Sequence, residues 1–127
     1  MKILSYQERD SGSPGANVLA LANDGDPRTL ALDAVDRIDL YFPKFTDGRA
    51  YSQAFLLRRR LGFRGELRAT GDVLIDQLVQ MQRCGFDSAV LRDGLDAAAA
   101  QRQFDRFADF YQGDASEPRP RFARAAA

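Results

Sequence analysis

Gly62-Phe63-Arg64-Gly65-Glu66-Leu67-Arg68-Ala69-Thr70-Gly71-Asp72 is answered, 22 to 24 residues on, by Gly85-Phe86-Asp87-Ser88-Ala89-Val90-Leu91-Arg92-Asp93-Gly94. Gly62-Phe63, Leu67-Arg68 and Gly71-Asp72 of the first stretch have their counterparts in Gly85-Phe86, Leu91-Arg92 and Asp93-Gly94 of the second. The offset is the length of a short strand–helix unit. Glu66 to Thr70 reads as a strand, and Gly71-Asp72 as the turn that opens a helix with Asp72 at its N-cap. Leu74, Leu78 and Met81 then recur at helical spacing, with Ile75 and Val79 widening the apolar face. Gly85 stops the helix, and a second strand runs from Ser88 to Leu91.

The same alternation continues on either side. Ile38, Leu40 and Phe42 share one face of a strand that Pro43 ends. After the polar loop Lys44-Phe45-Thr46-Asp47-Gly48, a helix runs from about Arg49 to Arg60, with Tyr51, Ala54, Phe55, Leu57 and Leu61 at helical spacing and Gly62 as its stop. Further back, Val18 to Ala22 is a short apolar run closed by Asn23-Asp24-Gly25. A helix is expected from Asp26-Pro27, an acidic N-cap followed by proline at the first helical position, with Leu30, Ala31, Ala34 and Val35 facing the core. The last helix runs from about Asp96 to Tyr111 on Phe104, Phe107 and Tyr111.

Four βα units predict an α/β fold with a parallel sheet and right-handed crossovers. Four such units make half of a TIM-like (βα)₈ barrel, or a small open sheet covered by helices. Residues 1–15, with Ser11-Gly12-Ser13-Pro14-Gly15, read as a flexible lead-in; residues 16–112 as a single domain; residues 113–127 as a flexible tail. Exposed apolar edges favour a homo-oligomer, a dimer first of all.

Composition removes several kinds of chemistry. The chain of 127 residues contains no histidine, which excludes histidine triads and histidine metal sites. Its single cysteine, Cys84, cannot hold an iron–sulfur cluster or close an internal disulfide. No metal centre is expected. The 18 basic and 18 acidic residues cancel, against a nucleic-acid or polybasic membrane partner. No apolar run reaches the roughly 20 residues of a membrane helix, and the start of the chain lacks the apolar segment of a signal peptide. The expected compartment is the cytoplasm. Only Lys2 and Lys44 are lysines; in a chain that otherwise uses arginine, Lys44 draws notice because an ammonium can lose its proton when buried.

In parallel α/β folds, ligands bind beyond the carboxyl ends of the strands, whichever of the two architectures is built. The loops there carry Lys44, Thr46, Asp47 and Arg49; Arg68, Thr70, Gly71 and Asp72; and Arg92. Lys44, Asp47 and Asp72 are the candidate catalytic groups, with Tyr51 beside them, provided burial shifts their pKa values. All of these loop residues, Lys44, Asp47 and Asp72 included, are candidate ligand contacts. Gly71 at a strand–helix turn would let a small oxyanion approach free N–H groups, although Asp72 at the same helix end repels it. The bland alternative is a turn, a cap and a salt-bridge network. Arg58-Arg59-Arg60 reads as a solvated helix end, and Cys84 as a plain buried cysteine.

Three motifs also carry a resemblance: Phe42-Pro43-Lys44-Phe45-Thr46-Asp47-Gly48-Arg49-Ala50-Tyr51-Ser52; Gly65-Glu66-Leu67-Arg68-Ala69-Thr70-Gly71-Asp72-Val73-Leu74 with Asp76-Gln77-Leu78; and Arg83-Cys84-Gly85-Phe86-Asp87. In this order they resemble an uncharacterised bacterial family of supposed oxidoreductases, encoded near assimilatory sulfite reductase. The resemblance spans roughly residues 38–92. It implies a role in sulfite reduction and sulfur assimilation, with Lys44, Asp47, Arg49, Arg68 and Asp72 as the matching polar positions. Ile75 departs from the pattern, where relatives often carry a basic residue, and the chain is short at its N-terminus. The resemblance and the missing cofactor ligands together imply an accessory protein that acts through partners, sulfite reductase subunits in particular. The alternative is a small enzyme or carrier with an oxyanion or a phosphate-bearing cofactor such as a flavin at the strand ends, although no Gly-rich dinucleotide fingerprint is present.

Overall fold

The computed structural model describes residues 1–9, 17–44 and 46–110. Within them, five strands form one open, all-parallel sheet: β1 (Lys2–Leu4), β2 (Val18–Leu21), β3 (Arg37–Phe42), β4 (Glu66–Gly71) and β5 (Ser88–Val90), in the order β1-β5-β4-β3-β2. Of the two architectures the sequence allows, the open sheet is the one formed. The tail 113–127, the Ser11–Gly15 run and Tyr111 lie outside the described residues. No helix among the described residues is long and apolar enough to cross a membrane.

The first strand corrects the sequence reading. Lys2–Leu4 falls in the stretch that reads as a flexible lead-in, yet it pairs with β5, placing Ile3 opposite Ala89 and Leu4 opposite Val90. Three residues are too few to show a period, so nothing local marks them as a strand. Their partner lies more than 80 residues away in the chain, and pairing completes the core: Leu4 is 1% exposed. The open edge of β1 is also guarded, because Gln101 accepts the Ile3 N–H through Oε1 at 2.9 Å and donates Nε2 to the Met1 carbonyl at 3.2 Å.

Three α-helices follow: α1 (Arg49–Phe55), α2 (Leu78–Arg83) and α3 (Ala97–Phe110). The helix expected after β2 is not there. Asp26 does cap, accepting the Arg28 N–H, but only a 3-10 turn over Pro27–Thr29 follows. Leu30, Leu32 and Val35 still pack against the core from an irregular segment. The helix after β3 begins where expected and changes pitch, passing from α1 into a π-turn at Leu56–Arg60. The helix after β4 starts late. Asp72 is not its N-cap: a 3-10 turn at Ile75–Gln77 intervenes before α2.

All three helices lie on one face of the sheet. Ile3, Ile38, Leu40, Leu67, Ala69 and Ala89 point into it and meet Ala54, Leu57, Leu78, Met81, Ala100 and Phe104. Phe42 sits in this layer with Tyr51 edge-on at 5.1 Å and Phe86 tilted at 5.9 Å. Strand alternation sends the intervening residues to the other face: Arg37, Asp39 and Tyr41 from β3, Glu66, Arg68 and Thr70 from β4, Ser88 from β5. The chain leaving β1 stands over this second face, where the Arg68 guanidinium donates to the Arg9 carbonyl at 2.7 Å.

Gly62, Gly71, Gly85 and Gly94 have positive φ, and they are four of the five glycines between residues 62 and 94, Gly65 being the exception. Gly71 shows why. At φ +92° a side chain is strained, and a Cβ there would collide with the Phe42 carbonyl oxygen. The glycine serves the close approach of β4 to the end of β3, where the Asp72 N–H donates to that same carbonyl at 2.7 Å.

Candidate functional site

The sequence-nominated residues fall into three groups. Lys44, Thr46 and Arg49 are exposed on the loop beyond β3, with Asp47 half-buried beside them. Asp47 is occupied: its Oδ2 accepts from the Asn23 amide at 2.7 Å, its Oδ1 accepts the Arg49 N–H at 3.0 Å, and the Arg49 guanidinium lies 3.8 Å away. These contacts tie the end of β2 to the start of α1, the role of a cap. Thr70 donates to the Leu40 carbonyl at 3.2 Å across β3 and β4. Asp72 forms an ion pair with Arg92 at 3.2 Å, joining the loops beyond β4 and β5.

Arg68 belongs elsewhere. It was expected among the strand-end loops, but it is the third residue of β4 and 2% exposed, on the second face of the sheet. Its guanidinium donates to Glu66 at 2.7 and 3.0 Å and to the Ser88 hydroxyl at 3.0 Å. Ser88 donates in turn to Glu66 at 2.5 Å. On β3, Arg37 (4% exposed) donates to Asp39 at 2.8 Å. The result is a set of opposite charges on β3 and β4, joined to β5 through the Ser88 hydroxyl. Burial pushes Glu66 up, but the Ser88 hydroxyl and the Arg68 guanidinium hold its carboxyl below the ordinary 4.5. Burial lifts Asp39 above 3.8 in spite of Arg37 and Arg68.

Tyr51 and Cys84 fare no better as reactive groups. Burial, with the neighbouring Cys84 adding to it, pushes the Tyr51 phenol up to about 12. Its hydroxyl is buried with no hydrogen-bond partner among the described residues. Burial likewise raises the Cys84 thiol above 9.0, so it stays protonated and a poor nucleophile at neutral pH.

Sequence reasoning missed three features. Arg58, taken for part of a solvated helix end, is folded back over Gly85. It donates to the carbonyls of Gly85 (2.9 Å), Phe63 (2.8 Å) and Gly65 (2.7 Å) and pairs with Asp87. The π-turn carries Arg58, and Gly85 leaves room for it, since a Cβ there would strike the Arg58 side chain. The Arg-Cys-Gly-Phe-Asp motif held the signal, as it contains both Gly85 and Asp87.

The second missed feature is a topological switch point. The chain leaves β1 for the second face, whereas the chain leaving its neighbour β5 leads to α3 on the first. In open α/β sheets, ligands favour the crevice between strands whose connections part in this way. Here Gln7 donates to Asp93 across it at 2.9 Å. The third is a cleft of about 410 Å³ at the opposite, amino ends of the strands, lined by Lys2, Arg64, Gly65, Glu66, Arg68, Asp87 and Ser88.

No curated protein and no solved structure matches the chain. A family model does, over residues 18–122, taking in every described strand and α-helix except β1. The chain therefore belongs to the bacterial family of unknown function DUF934.

Proposed function

We propose that this protein is an accessory factor of sulfite reduction that works by binding a protein partner, a subunit of the sulfite reductase system, and not by chemistry of its own. The observation that carries the reading is the second face of the sheet at β2 and β3. Val18 is 38% and Tyr41 48% exposed there, with Ala20 exposed between them. Parallel sheets are normally covered on both faces, and exposed apolar surface that includes an aromatic is typical of a docking site. The nominated catalytic carboxylates support the same reading, since Asp47 and Asp72 are held in a cap and an ion pair. The link to sulfite reduction rests on the motif resemblance between residues 38 and 92.

The test is reconstitution with purified reductase subunits, followed by affinity measurement. One subunit is expected to bind, and Tyr41→Asp is expected to abolish binding with the far-UV spectrum unchanged. Failure to bind any subunit would overturn the reading. Light scattering on the protein alone distinguishes the other occupant: a dimer dissolved by Tyr41→Asp would put a second copy of this chain on the face instead.

A further inference from the structure

We propose that the cleft at the amino ends of β1, β4 and β5 binds a small molecule bearing an oxyanion group, held by Lys2 and Arg64. The inference comes from the charges lining the cleft. Lys2, Arg64 and Arg68 are cationic, and Glu66 and Asp87 anionic. Both anions are already matched. Glu66 pairs with Arg68 at 2.7 Å and accepts from Ser88. Asp87 pairs with Arg58, which comes from outside the cleft, and accepts the Leu67 N–H at 3.0 Å. Lys2 and Arg64 remain, both exposed and neither in an ion pair among the described residues. Lys2 exerts a weak pull on Glu8, but the Glu8 carboxylate is engaged by Ser5.

Two positive charges therefore face a cleft whose floor is polar and buried: Arg68 is 2% and Ser88 1% exposed. A buried floor weakens solvent screening and focuses the field of the two cations at the mouth. A volume of about 410 Å³ falls within the range of small-molecule sites, so the room exceeds that of a bare ion. The ligand class is a small organic anion, either a phosphate ester or a carboxylate. The floor also fixes the site: Lys2, Ser88 and Arg68 stand in register across three adjacent strands. This site lies at the other end of the sheet from the loop bearing Lys44 and is independent of partner binding.

The experiment is an amide chemical-shift titration of the full chain with inorganic phosphate, succinate and chloride at equal ionic strength. Saturable shifts at Lys2, Gly65, Glu66 and Ser88 are expected with phosphate or succinate and not with chloride. The tighter of the two probes identifies phosphate or carboxylate as the source of the oxyanion. Arg64→Gln and Lys2→Gln are each expected to weaken binding by about tenfold or more, the effect of one lost charge-assisted hydrogen bond. Arg102→Gln, which removes the same charge from α3, is expected to bind as the wild type does. Equal shifts with chloride, shifts only around Lys44 and Gly71, no saturable shift, or equal weakening by Arg102→Gln would each overturn the proposal. If Lys2→Gln fails to fold, the wild-type shift map and Arg64→Gln, in an exposed loop, still decide it.

Discussion

The two faces of the sheet are built from alternate residues of the same strands, and they are held by different physics. On the helix-covered face, Ile38, Leu40, Phe42, Leu67 and Ala69 are fully buried in apolar surroundings. On the other, Arg37 and Arg68 are almost as deeply buried, but among carboxylates and a hydroxyl. The first face is favoured by removal of apolar surface from water and tolerates any shape that fills the space. The second depends on every charge keeping its partner, because desolvation of a buried ion offsets much of its pairing energy. Burial alone does not distinguish the two; only the partners do.

The largest expected effect comes from the apolar face. Phe42→Ala removes the ring that Tyr51 and Phe86 pack against, and urea denaturation should show a loss of about 3–5 kcal/mol. Arg68→Ala tests the other face. It strands Glu66, but that carboxylate is 31% exposed and recovers some solvation, so the expected loss is about 2–3 kcal/mol, below the value for a fully buried pair. A much smaller loss in Arg68→Met than in Arg68→Ala would mean that packing rather than charge holds this face. Gly71→Ala, where the two faces share a backbone constraint, should cost about 1–3 kcal/mol from the strained φ and the collision with Phe42.

A smaller effect should appear in acid. The folded pKa of Glu66 is lowered, so its contribution is present above its unfolded value of about 4.5 and is lost as pH falls through the folded value. The stability difference between wild type and Glu66→Gln should therefore shrink as pH is lowered below 4.5. Asp39, whose pKa is raised, has the opposite slope; because the Glu66 charge adds to that rise, Glu66→Gln reduces it and the Asp39 contribution cancels only in part. A difference that grows on acidification would contradict the ion-pair account of the second face. The smallest effect is expected at Lys44→Ala: the residue is exposed, and the melting temperature should correspond to a change within about 0.5 kcal/mol.

Much of the apolar face was legible in the sequence, because its information is local. Alternation in Ile38-Asp39-Leu40-Tyr41-Phe42 places one strand, and Gly62, Gly71, Gly85 and Gly94 mark turns that require positive φ. The candidate site was legible only in part. Polar residues do gather in the loops beyond β3, β4 and β5, but Arg68 was misplaced by three residues of strand. Arg68 lies within the expected strand Glu66–Thr70, and only the pairing with β5 shows that its side chain stands beside Ser88 on the second face. The stretch after Pro27 shows the limit of local signals: Asp26 caps and Pro27 is well placed, yet only a 3-10 turn follows.

By itself, the sequence determined the strand–helix alternation, the parallel sheet and the exclusion of histidine and cluster chemistry, since each follows from residue type and spacing along a few turns of chain. Only the tertiary structure decided that Lys2–Leu4 is a strand, that Arg58 clasps Gly85, and that Glu66 and Asp87 are neutralised while Lys2 and Arg64 are not. The physical reason is that the β1 pairing, the Arg58 clasp and the matching of Asp87 join residues 20 to 90 positions apart, and the energy of a charge or an edge is set by its neighbours in space.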